Sequence, residues 1–172
     1  MGIKKTGVLH DESQKFPPDG EIIFREWAVN NTAITNICST RIATRLPRNA
    51  TLPFLTFFVS GGSMLDNASE ASIGAITIQL NCYAGRWGGG TSSQPDYATA
   101  YSLANGVAEA AHKTARTIVH TTSTSTKGVI YGFDIAEMPA RVEETDTGLG
   151  HYELSLIMYY RGLDWYEQKD KS

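Results

Sequence analysis

The sequence contains few of the features that usually reveal a protein's chemistry. In 172 residues there are two cysteines, Cys38 and Cys82, which permit one bridge but no disulfide framework. We interpret them as small buried thiols. No apolar run approaches the roughly 18 residues needed to span a membrane, and no apolar segment at the N-terminal end resembles a secretory signal. These absences predict a soluble protein made inside the cell.

An excess of charge of one sign is also missing. Charged residues make up 19% of the chain, the formal net charge is -3, and Lys and Arg are dispersed without a run of three. A protein that holds nucleic acid by neutralising phosphates needs a clustered basic face. The composition therefore argues against DNA binding as the function.

Catalytic motifs are absent as well. The glycine-rich stretch "GRWGGGT" is not followed by the Lys-Ser/Thr pair of a P-loop, and "SGGSM" lacks the spacing of a nucleophile elbow. None of the four histidines has a second His or Cys at ligand spacing. His151 and Glu153 share one face of a strand, which we interpret as an exposed polar face. We assign no catalytic residue, no metal and no cofactor, and expect that the protein is not an enzyme.

What is present is enough apolar sequence for one core. The hydrophobic content is 41%, which suits a single domain of this length. Residues 1–18 are polar and end in "FPPDG", so we interpret them as an N-terminal arm. Residues 19–162 form the predicted domain, and residues 163–172 form a polar C-terminal tail.

The periodicity of the apolar residues predicts the elements of that domain. Helical spacing predicts one helix from Asp19, as its N-cap, to Ile37, and a second helix from Pro95 to about Arg116. Strands are predicted at 53–60, 73–83, 128–138 and 151–162, with a brief edge strand near 39–47. The order predicts an α+β fold: an antiparallel sheet of about four strands with two helices packed on one face.

The strand from Pro53 to Ser60 is the most hydrophobic segment of the chain. Its apolar residues are nearly continuous, so we expect both of its faces to be covered and the strand to be central in the sheet. The predicted core is Phe54, Phe57, Ile78, Leu80, Val107, Leu154 and Leu156.

Large aromatic residues occur in segments that have no evident place in this core. Trp87 lies in the glycine-rich loop, and Trp165 and Tyr166 lie in the polar tail. Each could fold back onto its own domain, but aromatic residues also anchor subunit interfaces. We predict that Arg86, Trp87, Trp165 and Tyr166 contact other subunits or partners.

The order of the motifs resembles a known family. A first helix leads to "RIATRLPRNATLPFLTFFVSGG", followed by "IGAITIQLNCYA", an Ala-rich helix with "ATAYSLANGVAEAAH", then "GVIYGFDIAEMPARVEETDTGLGHY" and "ELSLIMYYRG". Over residues 20–162 this resembles the tail-terminator, or tail-completion, proteins of long-tailed bacteriophages of the lambda-like siphophage type. Each motif is weak alone, and their order and spacing carry the resemblance.

The resemblance implies a structural virion protein made in the host cytoplasm and located in the tail-neck region. It implies a homo-oligomeric ring, usually of six subunits, that caps the head-proximal end of the tail tube. The ring would stop polymerisation of the tube and join the tail tube protein to the head-tail connector or stopper protein. DNA would pass through its lumen without sequence-specific binding.

Two alternatives remain open from the sequence. One is a head-tail connector, stopper or other neck protein, which belongs to the same structural class. The other is a small α+β module that binds an anion with the glycine loop between Gly85 and Gly90.

Overall fold

A computed structural model describes residues 20–64, 73–87, 93–120, 127–143 and 147–162. The helices are α1 (Gly20–Val29), α2 (Thr32–Cys38) and α3 (Tyr97–Lys113). The strands are β1 (Ile42–Ala43), β2 (Phe54–Met64), β3 (Gly74–Arg86), β4 (Gln94–Pro95), β5 (Thr117–His120), β6 (Lys127–Val142) and β7 (Gly150–Gly162). No helix of the described part is long and apolar enough to cross a membrane.

These strands form one curled sheet in the order β1-β2-β3-β7-β6-β5, and β4 pairs separately with β3. All neighbours are antiparallel except β1 and β2, which are parallel. The expectation of about four strands and two helices is therefore wrong, because the described residues alone form seven strands and three helices. Strand β1 lies at the edge of the sheet, within the brief edge strand predicted near 39–47. Strands β4 and β5 were not predicted, because two and four residues are too few to produce a clear alternation in the sequence.

The first predicted helix is two helices. The polar residues Asn30 and Asn31 interrupt it: the Asn30 side-chain amide donates to the Glu26 carbonyl at 2.8 Å, and Asn31 caps α2 by accepting from the Ala33 N–H at 3.1 Å. An asparagine that bonds nearby backbone groups competes with helix continuation and favours a cap. Asp19, the predicted N-cap of the first helix, lies outside the described residues.

The second predicted helix begins two residues later than expected. Pro95 belongs to β4, and Asp96 is the N-cap of α3. Its carboxylate accepts from the Thr99 N–H at 2.9 Å and from the Thr99 hydroxyl at 2.6 Å. An aspartate in this position satisfies one of the N–H groups that a helix leaves unpaired at its start.

The core lies between the helices and one face of the sheet. Helix residues such as Phe24, Trp27 and Leu103 join strand residues such as Phe57 and Leu156 in one buried cluster. The predicted core is confirmed, because all seven of its members are buried: Phe54, Phe57, Ile78, Leu80, Val107, Leu154 and Leu156. For six of them the burial follows from alternation along β2, β3 and β7 and from the apolar stripe of α3. Phe54 is buried as well, but its register with Tyr83 places it on the opposite face of the sheet.

Strand β2 differs from its prediction. It is second in the sheet, and β1 pairs only with Leu55 and Thr56 of it. Phe58 is 45% exposed, so the expectation that both faces are covered is wrong at that residue. Phe58 pairs with Gln79 on the sheet face opposite the helices, which is largely polar.

Strand β6 is longer than predicted and continues through Pro139 to Val142. Irregularities between Ile135 and Glu137 and between Glu137 and Ala140 interrupt its pairing with β7. Bulges of this kind accommodate a proline, which has no N–H to give to the ladder.

Candidate interaction surfaces

No described residues form a cluster of three His, Cys, Asp or Glu side chains that could hold a metal ion. His151 is not on an exposed polar face, as its sequence context suggested; it is 4% exposed. Its ring stacks on Tyr83 with centroids 4.4 Å apart, and its Nε2 lies 3.0 Å from Asn81 Oδ1. These contacts give His151 a packing role at the end of the sheet.

The two thiols are buried, as the sequence suggested. Burial raises the pKa of Cys38 to about 11, and burial likewise raises the pKa of Cys82. A thiol with a raised pKa is protonated at neutral pH and is a poor nucleophile. Neither cysteine therefore offers a reactive site.

The structure places the four predicted interface residues as follows. Arg86 is exposed at the end of β3. Trp87 is half-buried, and its indole N–H donates to the Ala50 carbonyl at 2.8 Å, so it is attached to the segment before β2 of its own chain. Trp165 and Tyr166 lie outside the described residues, and no subunit contact of any of the four is tested.

The glycine loop considered for anion binding is described only at its two ends, through Trp87 and from Ser93. Gly85 has a φ of +132° and lies against the backbone of Gln94 in the β3–β4 pair. At these described positions the glycine permits a close backbone approach, which is the usual reason for its presence in such a conformation.

The face of the sheet opposite the helices, here called the open face, carries a polar layer. Its register brings Gln79, Ser155 and Glu137 side by side on β3, β7 and β6. The Ser155 hydroxyl lies 2.9 Å from Gln79 Oε1 and 2.8 Å from Glu137 Oε2. These contacts order polar side chains on a surface that no described helix covers.

Acidic groups dominate the charge of the open face among its described side chains. Asp134, Glu137 and Glu153 lie on it, with Arg161 at the end of β7. Asp134 accepts from the Tyr159 hydroxyl at 2.7 Å, and this hydrogen bond raises the pKa of Tyr159. The open face therefore presents two carboxylates held by hydrogen bonds, those of Asp134 and Glu137, and negative charge of this kind disfavours contact with a polyanion.

An aromatic and basic cluster lies near the start of α3. The Arg141 guanidinium is 3.8 Å from the centre of the Tyr97 ring, and Arg141 pairs with Glu143 at 2.7 Å. Tyr101 packs on Tyr152 with ring centroids 5.2 Å apart and is 45% exposed. Tyr97 and Tyr101 therefore contact side chains of β6 and β7, and the sequence did not indicate Arg141 as a neighbour of Tyr97.

A groove of about 880 Å³ lies at the opposite end of α3. It is lined by the end of α1, the start of α2, the end of α3 and strand β5. The sequence did not predict it, because β5 is only four residues long and was not recognised. Helical periodicity predicts the individual helices, but it does not predict a groove that forms between their ends.

The long strands β2 and β6 leave little of their edges open for pairing with another strand. The outward N–H of Leu55 donates to the Arg41 carbonyl at 3.0 Å, and the N–H of Val59 donates to Glu21 Oε1 at 3.2 Å. The part of β6 beyond its pairing with β5 contains bulges and Pro139. Covered N–H groups, bulges and proline all discourage the addition of another strand.

No protein-family model and no curated protein matches the chain. Among solved structures, a chain from the virion of a native gene transfer agent particle is similar to it, with a TM-score of 0.45 and 11% identity. The similarity covers 79% of this chain and 88% of the other. The similar chain is a virion component, and a similarity at this level transfers no residue role.

Proposed function

We propose that this protein is a structural virion component, and within that class a tail terminator. A ring of subunits, six in the usual arrangement, would cap the head-proximal end of the tail tube and stop its polymerisation. The same ring would join the tube to the head-tail connector or stopper, and DNA would pass through its lumen.

The observation that carries the proposal is the open face of the sheet. It is an extended polar surface on which carboxylates outnumber arginines among the described side chains. A conduit for DNA must not bind phosphates, and an acidic surface meets that requirement. In the proposed ring the open face lines the lumen, and the helices lie on the outside.

The proposal also specifies how subunits meet. A ring needs one surface of each subunit to contact a different surface of its neighbour, with a rotation that closes. Because the edges of β2 and β6 are poorly suited to strand addition, we expect side-chain contacts to join the subunits. The cluster of Tyr97, Tyr101 and Arg141 has the composition of an interface anchor.

Imaging tests the proposal directly. The purified protein, alone and mixed with tail tubes that lack a terminator, is examined by light scattering after gel filtration and by negative-stain microscopy. We expect closed rings of about six copies and rings at one end of the tubes. A protein that remains monomeric with tubes present would contradict the proposal.

Two variants then test the predicted interface residues. Trp165→Ala is expected to weaken ring formation without changing the melting temperature of the subunit. Trp87→Phe keeps an aromatic ring but loses the hydrogen bond to the Ala50 carbonyl. It therefore distinguishes a role of Trp87 in the stability of the subunit from a role in ring assembly. Normal assembly and normal phage yield in Trp165→Ala would show that Trp165 is not an interface anchor.

A further inference from the structure

The groove at the end of α3 has an apolar wall and a carboxylate inside it. Trp27 and Ala110 contribute apolar surface, and both are at most 5% exposed. Glu26 also lines the groove and is 6% exposed; its nearest ion-pair partner is Arg25, at 3.5 Å. A buried carboxylate at a groove wall favours a cationic group in the groove, because it has lost most of its water.

Strand β5 forms another wall of the groove and is the last strand of the sheet. Thr117, Ile118 and Val119 line the groove, and no described strand pairs with the outer edge of β5. Ile118 is 56% exposed there. An open strand edge beside an apolar groove fits an extended segment, which adds as a further strand and places alternate side chains in the groove.

The charge of the groove restricts which segment of the chain fits it. Its charged lining residues are Glu26, Glu109 and Lys113, so acidic groups exceed basic ones. Residues 163–172 contain three carboxylates and two lysines, whereas residues 1–10 contain Lys4 and Lys5 and no carboxylate. Electrostatic complementarity therefore favours residues 1–10 as the occupant.

The length of the intervening chain is sufficient. Helix α1 begins at Gly20, and the groove lies at the other end of this helix, about 15 Å away. The ten Cα–Cα steps from His10 to Gly20 span up to about 35 Å when the chain is extended. A tethered segment also has an effective concentration in the millimolar range, so modest contacts are enough to hold it.

We propose that residues 1–10 of the same chain bind in this groove as an extended strand along β5, with Lys4 or Lys5 near Glu26 and Ile3, Val8 or Leu9 against the apolar wall. This inference does not rest on the proposed function, because it concerns a contact within one subunit. It gives the N-terminal arm a defined docking site on its own domain.

Photo-cross-linking of the full-length protein tests this proposal. p-Benzoylphenylalanine replaces Ile118 in one variant and Phe58 in a matched control; both side chains are exposed, but Phe58 lies near the other end of the sheet. Mixing unlabelled and ¹⁵N-labelled protein before irradiation shows whether linked peptides come from one chain. We expect residue 118 to link to residues 1–10 of its own chain and residue 58 not to do so.

Three results would overturn the proposal: no cross-link at residue 118, a link to another part of the protein, or links only between chains. The double variant Lys4→Glu/Lys5→Glu should lower the yield of the cross-link at least threefold, because two carboxylates would then face Glu26. An unchanged yield in that variant would contradict the electrostatic choice of residues 1–10.

Discussion

At the scale of single residues, the described side chains act by packing and by local hydrogen bonding. The aromatic residues Phe24, Trp27 and Phe133 contact one another where α1 meets β6, with centroid distances of 4.5 to 6.4 Å. Trp27 also donates from its indole N–H to the Thr114 hydroxyl at 3.1 Å. Such a residue joins α1 to the end of α3, and its role is structural.

Leu156 provides a direct test of the core. It is fully buried in the middle of β7, so Leu156→Ala should lower the free energy of unfolding by about 2–5 kcal/mol through lost apolar burial and a residual cavity. Urea unfolding followed by circular dichroism measures the change. Met138→Ala, at a side chain that is 68% exposed, is the control and should change stability by less than about 0.5 kcal/mol. Equal effects of the two substitutions would contradict the assigned core.

We expect Asp96 to make the stability of the protein depend on pH. Its hydrogen bonds from the Thr99 hydroxyl and N–H lower the pKa of the carboxyl, so the cap is strongest when Asp96 is ionised. A group whose pKa is lower in the folded state contributes stability above its unfolded pKa and loses it as the pH falls through its folded pKa. Asp96→Asn keeps the cap without the charge. Between pH 7 and pH 3, urea unfolding should show a larger loss of unfolding free energy for the wild type than for Asp96→Asn. Equal losses would show that Asp96 does not contribute to the pH dependence of stability.

At the scale of elements, the junction between β7 and α3 depends on a close approach of backbones. A Cβ at Gly150 would lie 2.5 to 2.7 Å from backbone atoms of Asp96 and Tyr97, whereas a Cβ at Gly61 would meet nothing within 4 Å. Gly150→Ala should therefore destabilise the protein by at least about 1–3 kcal/mol through forced backbone shifts. Gly61→Ala, the matched control in β2, should be neutral or stabilising by up to about 1 kcal/mol. Thermal unfolding of both variants measures this difference, and equal melting temperatures would show that the junction can relax.

The strands show which parts of the fold the sequence could predict and which it could not. Strands β3 and β7 were predicted closely because one side of each is apolar and the other polar, and the same alternation identified Ile78, Leu80, Leu154 and Leu156 as core. Strand β5 was missed because four residues beside a Ser/Thr-rich segment have no distinct period. The groove and the contact of Arg141 with Tyr97 arise from elements far apart in sequence, so neither has a local signal.

At the scale of the whole molecule, the sheet separates two kinds of surface. One face holds the three helices and the core, and the open face carries the hydrogen-bonded carboxylates. The resemblance in sequence suggested a DNA conduit through its implied ring, and the weak net charge was compatible with that role. The arrangement of Asp134, Glu137 and Glu153 on one face is a property of the register, which only the structure provides.

Reversing the charge of the open face tests whether it lines a DNA channel. Asp134→Lys/Glu137→Lys should bind duplex DNA at low salt and slow DNA passage in assembled particles, because lysines on the lumen would hold phosphates. Ser102→Lys/Glu109→Lys/His112→Lys is the matched control: it changes the net charge equally, but at exposed positions of α3, away from the open face and from Arg141. Fluorescence anisotropy across salt concentrations and a genome-ejection assay measure both variants.

The neutral variant Asp134→Asn/Glu137→Gln removes both negative charges but keeps carbonyl oxygens that can accept from the Tyr159 and Ser155 hydroxyls, so it separates the loss of negative charge from the gain of positive charge. We expect it to pass DNA as the wild type does, since amides neither repel phosphates nor hold them as ammonium groups do. Slow ejection in both lysine variants would assign the effect to net charge instead of position. Normal ejection in Asp134→Lys/Glu137→Lys, within particles that contain the closed ring, would show that the open face does not border the DNA, because six copies of two added lysines would otherwise surround the duplex.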